Sequence, residues 1–315
     1  MTRARPTDTT PHRGSSRRAW QANPFALGAA LVAWVGLAAL LYPSTASWFS
    51  QVQQSRIITS YTDEVEEGVQ PPAAEQLQRA HEYNRALNSG AELEANQRLP
   101  TGKGTTSNPA LDYDGLLRTD PTGVMARIRI PLINVDLPVY HGTSDETLLK
   151  GVGHLQGTSL PVGGADTHAV LTGHRGLATA TMFTDLNLVK VGDTFSISVF
   201  DDVLTYRVVS STVVNPDQTE SLRPVAGKDL VTLVTCTPLG INSQRILVTG
   251  ERVYPTPASD VAAARTTPEP GFPWWVVFFG GGTALIGMYV WRSGYPVRRR
   301  GARTEPAPDA ALPTS

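Results

Sequence analysis

Thr232-Leu233-Val234-Thr235-Cys236-Thr237-Pro238-Leu239-Gly240-Ile241-Asn242-Ser243-Gln244-Arg245 contains the only cysteine of the 315-residue chain. The stretch begins as a β-branched apolar run, breaks at Pro238 and Gly240, and resumes as Ile246-Leu247-Val248. Such runs bounded by proline and glycine read as strand, loop, strand. The cysteine stands at the end of the first strand and Arg245 at the start of the second, so pairing of the two puts thiol and guanidinium on one rim. A thiolate is a strong nucleophile, and a guanidinium is a fixed cation that can hold developing negative charge. Proton transfer needs a third group. His174, in Leu171-Thr172-Gly173-His174-Arg175-Gly176, follows another strand-like run and is the candidate. A lone cysteine forms no internal disulfide, which leaves intermolecular pairing, inert packing or a reactive thiol. The contexts of Arg245 and His174 favour the reactive thiol.

Two apolar blocks flank this region, Phe25 to Tyr42 and Phe272 to Trp291, and neither holds a charged residue. At helical rise each spans roughly 27–30 Å, enough to cross a bilayer core. Arg3, Arg5, Arg13, Arg17 and Arg18 precede the first block; Arg292, Arg298, Arg299, Arg300 and Arg303 follow the second. Flanking arginines favour the cytoplasmic side, so both termini are expected there, with the segment between them exported. A basic start, an apolar core and Ser44-Thr45-Ala46 also suit a cleaved signal peptide, and either reading leaves the middle outside. The tails carry a net +7 and the whole chain −1, so the middle is near −8. An acidic ectodomain is a poor partner for nucleic acid, and topology accounts for the basic tails.

Seven runs in the middle read as strands: Val124–Ile130, Val135–Tyr140, His168–Thr172, Thr194–Phe200, Leu204–Val214, Leu230–Cys236 and Arg245–Val253. Phe195, Ile197 and Val199 alternate with polar residues, as on a strand with one buried face. Thr143-Ser144-Asp145-Glu146 spells a capping box before Leu148-Leu149. Many short strands with few helices indicate a mainly β, closed barrel. The organisation is then a basic tail (1–24), an apolar span (25–42), a helical arm plus loop (47–118), the strand-rich core (119–254), a stiff Pro-rich linker (255–271), a second span (272–291) and a basic tail (292–315). Within the arm, Leu77, Ala80, Asn84 and Leu87 are expected near one helix face.

The strand end Thr-Leu-x-Thr-Cys, the arginine on the next strand and the Gly-His context resemble the sortases, cysteine transpeptidases of Gram-positive cell surfaces. The likeness extends through Gly151-Val152-Gly153-His154-Leu155-Gln156-Gly157-Thr158-Ser159-Leu160-Pro161 and covers roughly Gly123 to Arg252. The spelling is most similar to the pilus-assembling class C. The resemblance implies an eight-stranded barrel and a catalytic set of Cys236, His174 and Arg245. It also implies a lid between arm and core carrying an aspartate–proline–aromatic motif. Asp120-Pro121 is followed by Thr122, so that motif is absent in the expected place.

The implied substrate is a Leu-Pro-x-Thr-Gly-like sorting signal on a pilin or surface protein. The implied acceptor is an amine, either a pilin lysine or, as in housekeeping relatives, a cell-wall peptide. Departures at Leu239 and Ser243-Gln244 fall beside the cleft and bear on the acceptor more than on catalysis. No cofactor is implied. One cysteine and scattered histidines lack zinc-site spacing, so no metal site is expected. His141, His154 and His168 read as structural. A non-enzymatic surface module with an incidental thiol is the competing class.

Overall fold

A computed structural model describes residues 20–87, 112–119, 122–218 and 220–295. Two compact units result: Met1–Leu41 with Trp274–Ser315, and Tyr42–Pro273.

The first unit is built from the opening half of helix α1 (Pro24–Glu67) and from α5 (Trp274–Ser293). Both are long and apolar enough to cross a bilayer by length and composition. Trp34 meets the edge of Phe279 with ring centroids 5.6 Å apart, and Trp20 Nε1 donates to the Trp291 carbonyl at 3.0 Å. A methyl group at Gly282 would lie 2.5 Å from Leu37 Cδ2, so the glycine is what permits this close approach of the two helices.

The second unit is a closed barrel with strand order β1-β2-β3-β4-β7-β8-β6-β5. The strands are β1 (Ala126–Ile130), β2 (Val135–His141), β3 (Val152–His154), β4 (Thr167–Thr172), β5 (Thr194–Val199), β6 (Asp202–Val214), β7 (Asp229–Thr237) and β8 (Gln244–Arg252). Pairing of β1 with β5 shuts the cylinder, leaving no open edge. Seven of the eight strands coincide with the runs read from sequence. The eighth, β3, has only three residues and bridges β2 and β4. β1 begins at Ala126 rather than Val124. Helix α3 (Asp145–Lys150) is capped by Ser144, whose side chain accepts from Thr147 N, one residue later than the capping-box spelling suggests.

The arm packs on the barrel. The lower part of α1 buries Ile58 and Tyr61, and Tyr61 Oη accepts from Phe200 N at 2.8 Å. Helix α2 (Ala73–Ala86) buries Gln76, Ala80 and Tyr83, spaced four and three residues apart on one face. Leu77 and Leu87 are only partly buried beside it. Asn84 acts as a surrogate strand edge: its Nδ2 donates to Leu160 O at 3.0 Å and its Oδ1 accepts from Leu160 N at 2.7 Å. The expected lid falls mostly on residues 88–111, outside the described residues.

The Pro-rich linker corrects one expectation. It is not a bare spacer, because Ala258–Ala264 folds as helix α4 and is tied to the barrel. Thr205 Oγ1 donates to Asp260 at 2.6 Å. Arg127, 2% exposed, donates to the carbonyls of Ala264 and Thr266 at 2.7 and 2.8 Å and grips Asp136 with two bonds of 2.7 Å.

Candidate active site

Strand alternation decides where the singled-out residues face. Ala169 and Leu171 of β4, Val231 and Leu233 of β7, and Ile246 and Val248 of β8 join the main core cluster. Val170, Val234 and Leu247, one position out of phase, form a second cluster with Leu155 and Leu222. Successive side chains on a strand point to opposite faces. Cys236 and Arg245 share the parity of Val234 and Leu247, so they sit on this second face, and the two are direct partners in the β7–β8 register.

His174 arrives from the other side. β4 and β7 run parallel, and their last paired residues are Thr172 and Val234. The contact continues past the strand: Gly173 N donates to Val234 O at 3.0 Å, and Thr235 Oγ1 donates to Gly173 O at 2.7 Å. Two residues on from Thr172 and Val234 come His174 and Cys236. Adjacent strands lie about 4.8 Å apart. Cys236 of β7 and Arg245 of β8 are therefore direct partners, and His174 lies two residues beyond the end of β4, the strand on the other side of β7.

Each is held by its surroundings. The His174 carbonyl accepts from Phe183 N at 3.0 Å, and the Phe183 ring lies against Gly173. Arg245 is 2% exposed, and its Nη1 donates to Asn242 O at 2.9 Å and Gln244 O at 3.0 Å, which fixes the guanidinium. Cys236 is 7% exposed. Burial pushes its thiol above the ordinary value, and the Arg245 cation opposes that shift. Burial pushes His174 below its ordinary value, and the charge of Asp145, in the first turn of α3, partly restores its affinity for a proton. Nothing in the sequence around His174 marks Asp145, 29 positions earlier, as its acidic neighbour.

Arg175 was also passed over. Its Nε donates to Thr184 O at 3.0 Å, Nη1 to Thr237 Oγ1 at 2.9 Å and Nη2 to Asn187 Oδ1 at 2.9 Å. It thus ties the loop after His174 to the residue after Cys236. Its only signal in the sequence was adjacency to the histidine.

The remaining core histidines are structural, as read. His154 Nε2 donates to Ser159 O at 2.8 Å while Nδ1 accepts from Tyr113 Oη at 2.9 Å. Complete burial lowers its pKa to about 4. His168 bridges Arg223 O and Thr232 Oγ1, and His141 Nε2 donates to Leu116 O.

A sortase-domain family model matches residues 128–253. Sortase A of Bacillus anthracis is 31% identical over 134 residues, which is 42% of this chain and 62% of that protein. Sortase D of Bacillus subtilis is 31% identical over 129 residues, 40% of this chain and 62% of that protein. The chain thus spans under two thirds of the length of these curated relatives. Among solved structures, sortase C-1 from Actinomyces oris is 51% identical, with 57% of this chain and 98% of that one covered and a TM-score of 0.51. Sortase C1 from Streptococcus agalactiae is 41% identical, with 64% and 100% covered and a TM-score of 0.56.

Proposed function

Since this chain belongs to the sortase family, with class C sortases among its structural neighbours, we propose that it is a membrane-anchored cysteine transpeptidase of the pilus-assembling kind. Its substrate is a sorting signal of Leu-Pro-x-Thr-Gly type, and its acceptor is a lysine amine on a pilin subunit. The observation that carries the reading is the direct pairing of Cys236 with Arg245 across β7 and β8, with His174 two residues past the end of the neighbouring β4. The apolar helices α1 and α5 support anchoring, and the arginine-rich flanks support two cytoplasmic termini with the barrel outside.

The chemistry follows from the arrangement. Cys236 Sγ, as thiolate, attacks the threonine carbonyl carbon, and a C–S bond forms. The negative charge that builds on the carbonyl oxygen is opposed by the pinned Arg245 guanidinium. The C–N bond to glycine breaks, and His174 gives its proton to the departing amine. The acceptor amine then attacks the thioester. His174 takes up a proton from it, the new amide forms, and Cys236 leaves as thiolate. Arg175 and Phe183 position His174 and take no part in bond making.

Mass spectrometry tests this on the full chain in detergent, with a sorting-signal peptide and a lysine-bearing pilin. The expected result is peptide mass added at Cys236 and then moved to the pilin lysine, with neither step in Cys236→Ala. If no adduct forms on the unaltered protein, the reading fails. If the adduct moves only to a cell-wall peptide, the pilus assignment fails while the transpeptidase survives.

A further inference from the structure

Residues 181–184 form a tight turn, closed by Thr184 N donating to Thr181 O at 2.9 Å. The turn grips the chain at His174 and the two residues after it. Phe183 N donates to His174 O at 3.0 Å, Arg175 Nε donates to Thr184 O at 3.0 Å, and Gly176 N donates to Thr184 Oγ1 at 3.1 Å. The pose of His174 is therefore only as firm as this turn.

The second residue of the turn is of an unexpected type. Met182 has a φ of 42°. A left-handed backbone at that place in a tight turn is the province of glycine, asparagine and aspartate, because a Cβ there crowds the following carbonyl oxygen. A bulky side chain in that conformation is strained. Such strain persists only where the surroundings over-determine the residue.

What holds Met182 comes from α1. Met182 is 2% exposed, and Gln54, itself 7% exposed, donates from Nε2 to Met182 Sδ at 3.4 Å. A thioether sulfur is a weak acceptor, but burial keeps water from competing for the amide. Ser47 Oγ and Thr181 Oγ1 meet at 3.3 Å, a second tie between α1 and the turn. The Gln54–Met182 contact joins residues 128 positions apart. A glycine would make this turn without strain; the methionine gives α1 a handle on it.

We propose that Gln54 is a positioning residue for the transfer reaction: from α1 it pins Met182, and so fixes the turn that holds the His174 backbone. It touches neither substrate nor the reacting atoms. Its effect passes through Met182 and the Phe183 N–H to the histidine.

The role rests on the transpeptidase reading, and the test separates the two. The full chain in detergent micelles is isotopically labelled at the histidine Cε1 carbons for NMR, and the His174 resonance is assigned with His174→Asn. Gln54→Met removes the N–H donor at nearly constant volume. Met182→Leu removes the sulfur acceptor and leaves Gln54 in place. Each should shift or broaden the His174 resonance while those of the buried His154 and His168 stay where they are, which general loosening of the fold would not do. Each should also slow peptide addition to Cys236 by roughly 2- to 10-fold, the range one hydrogen bond covers, with the peptide KM unchanged. The double variant should be no worse than either single one, because both cut the same link. A His174 resonance unmoved in both single variants overturns the proposal, as do effects that add in full or histidine resonances that all move together. Should Gln54→Met fail to fold, Met182→Leu decides alone. No peptide adduct on the unaltered chain sinks the transpeptidase reading; an adduct with an unmoved His174 resonance sinks the positioning role alone.

Discussion

In a Gly173→Ala variant the new methyl carbon would sit 2.7 Å from Cδ2 and 2.8 Å from Cγ of Phe183. Gly173 does not use a left-handed backbone, so alanine is barred there by space alone. Phe183 is fully buried, and its N–H holds the His174 carbonyl, so the ring cannot swing away freely. Inserting a methyl group into such a site costs about 1–3 kcal/mol. At roughly 2–4 °C per kcal/mol for a unit of this size, the melting temperature should fall by about 2–12 °C. The strain falls between the last β4 residue and the imidazole. A displacement of about 1 Å in a catalytic group costs on the order of 100-fold in rate. Thermal unfolding of the full chain and the rate of peptide addition to Cys236 are the two readouts. Phe183→Leu in the Gly173→Ala background makes room for the methyl, so the pair should be less damaging than the sum of its parts by about 1 kcal/mol. A variant that melts with the parent and acylates at the parent rate would refute the packing argument.

Three further outcomes are expected. Because burial raises the Cys236 thiol, iodoacetamide alkylation should climb with pH through a midpoint above the ordinary cysteine value of about 8.5, and Arg245→Met should move it higher still by removing the cation that lowers it. Arg127→Met leaves Asp136 without its two-bond partner and strands the Ala264 and Thr266 carbonyls; breaking such a buried pair costs about 3–5 kcal/mol, and hydrogen exchange should show α4 losing protection first. His154 stays neutral in the fold down to about pH 4, so the unfolded chain binds its proton first as pH falls below about 6.5. Stability from this group is then intact above pH 6.5 and lost by about 3 kcal/mol on reaching pH 4, and a His154→Asn variant should show a flatter melting profile over that window.

The legible parts of this protein were those that local chemistry dictates. Seven strands announced themselves by β-branched runs, and the short loop between Cys236 and Arg245 fixed their pairing because a hairpin's register follows from its turn. β3 was hidden because Val152-Gly153-His154 is too short to show a period. The sequence reading kept an apolar span (25–42) apart from an arm beginning at 47, whereas α1 is one helix from Pro24 to Glu67 that carries Pro43 inside it. Helix α4 lay concealed among prolines, and what fastens it is Arg127, more than 130 positions earlier. The same distance effect hid the roles of Asp145 and Arg175: each acts across the fold on a neighbour that only the barrel supplies.

Gly173 and Thr235 are 62 positions apart, yet they meet in the seam between the chain ends that carry His174 and Cys236. That seam is parallel, so no tight turn can nucleate it, and the guanidinium comes from the final strand of the cylinder. Long-range pairings of this sort are late events, because the intervening chain must first surrender its freedom. Until residues 244–252 pair with β7, Cys236 has no Arg245 opposite it. Chain termination between residues 237 and 244 leaves Cys236 without the strand that pairs it with Arg245.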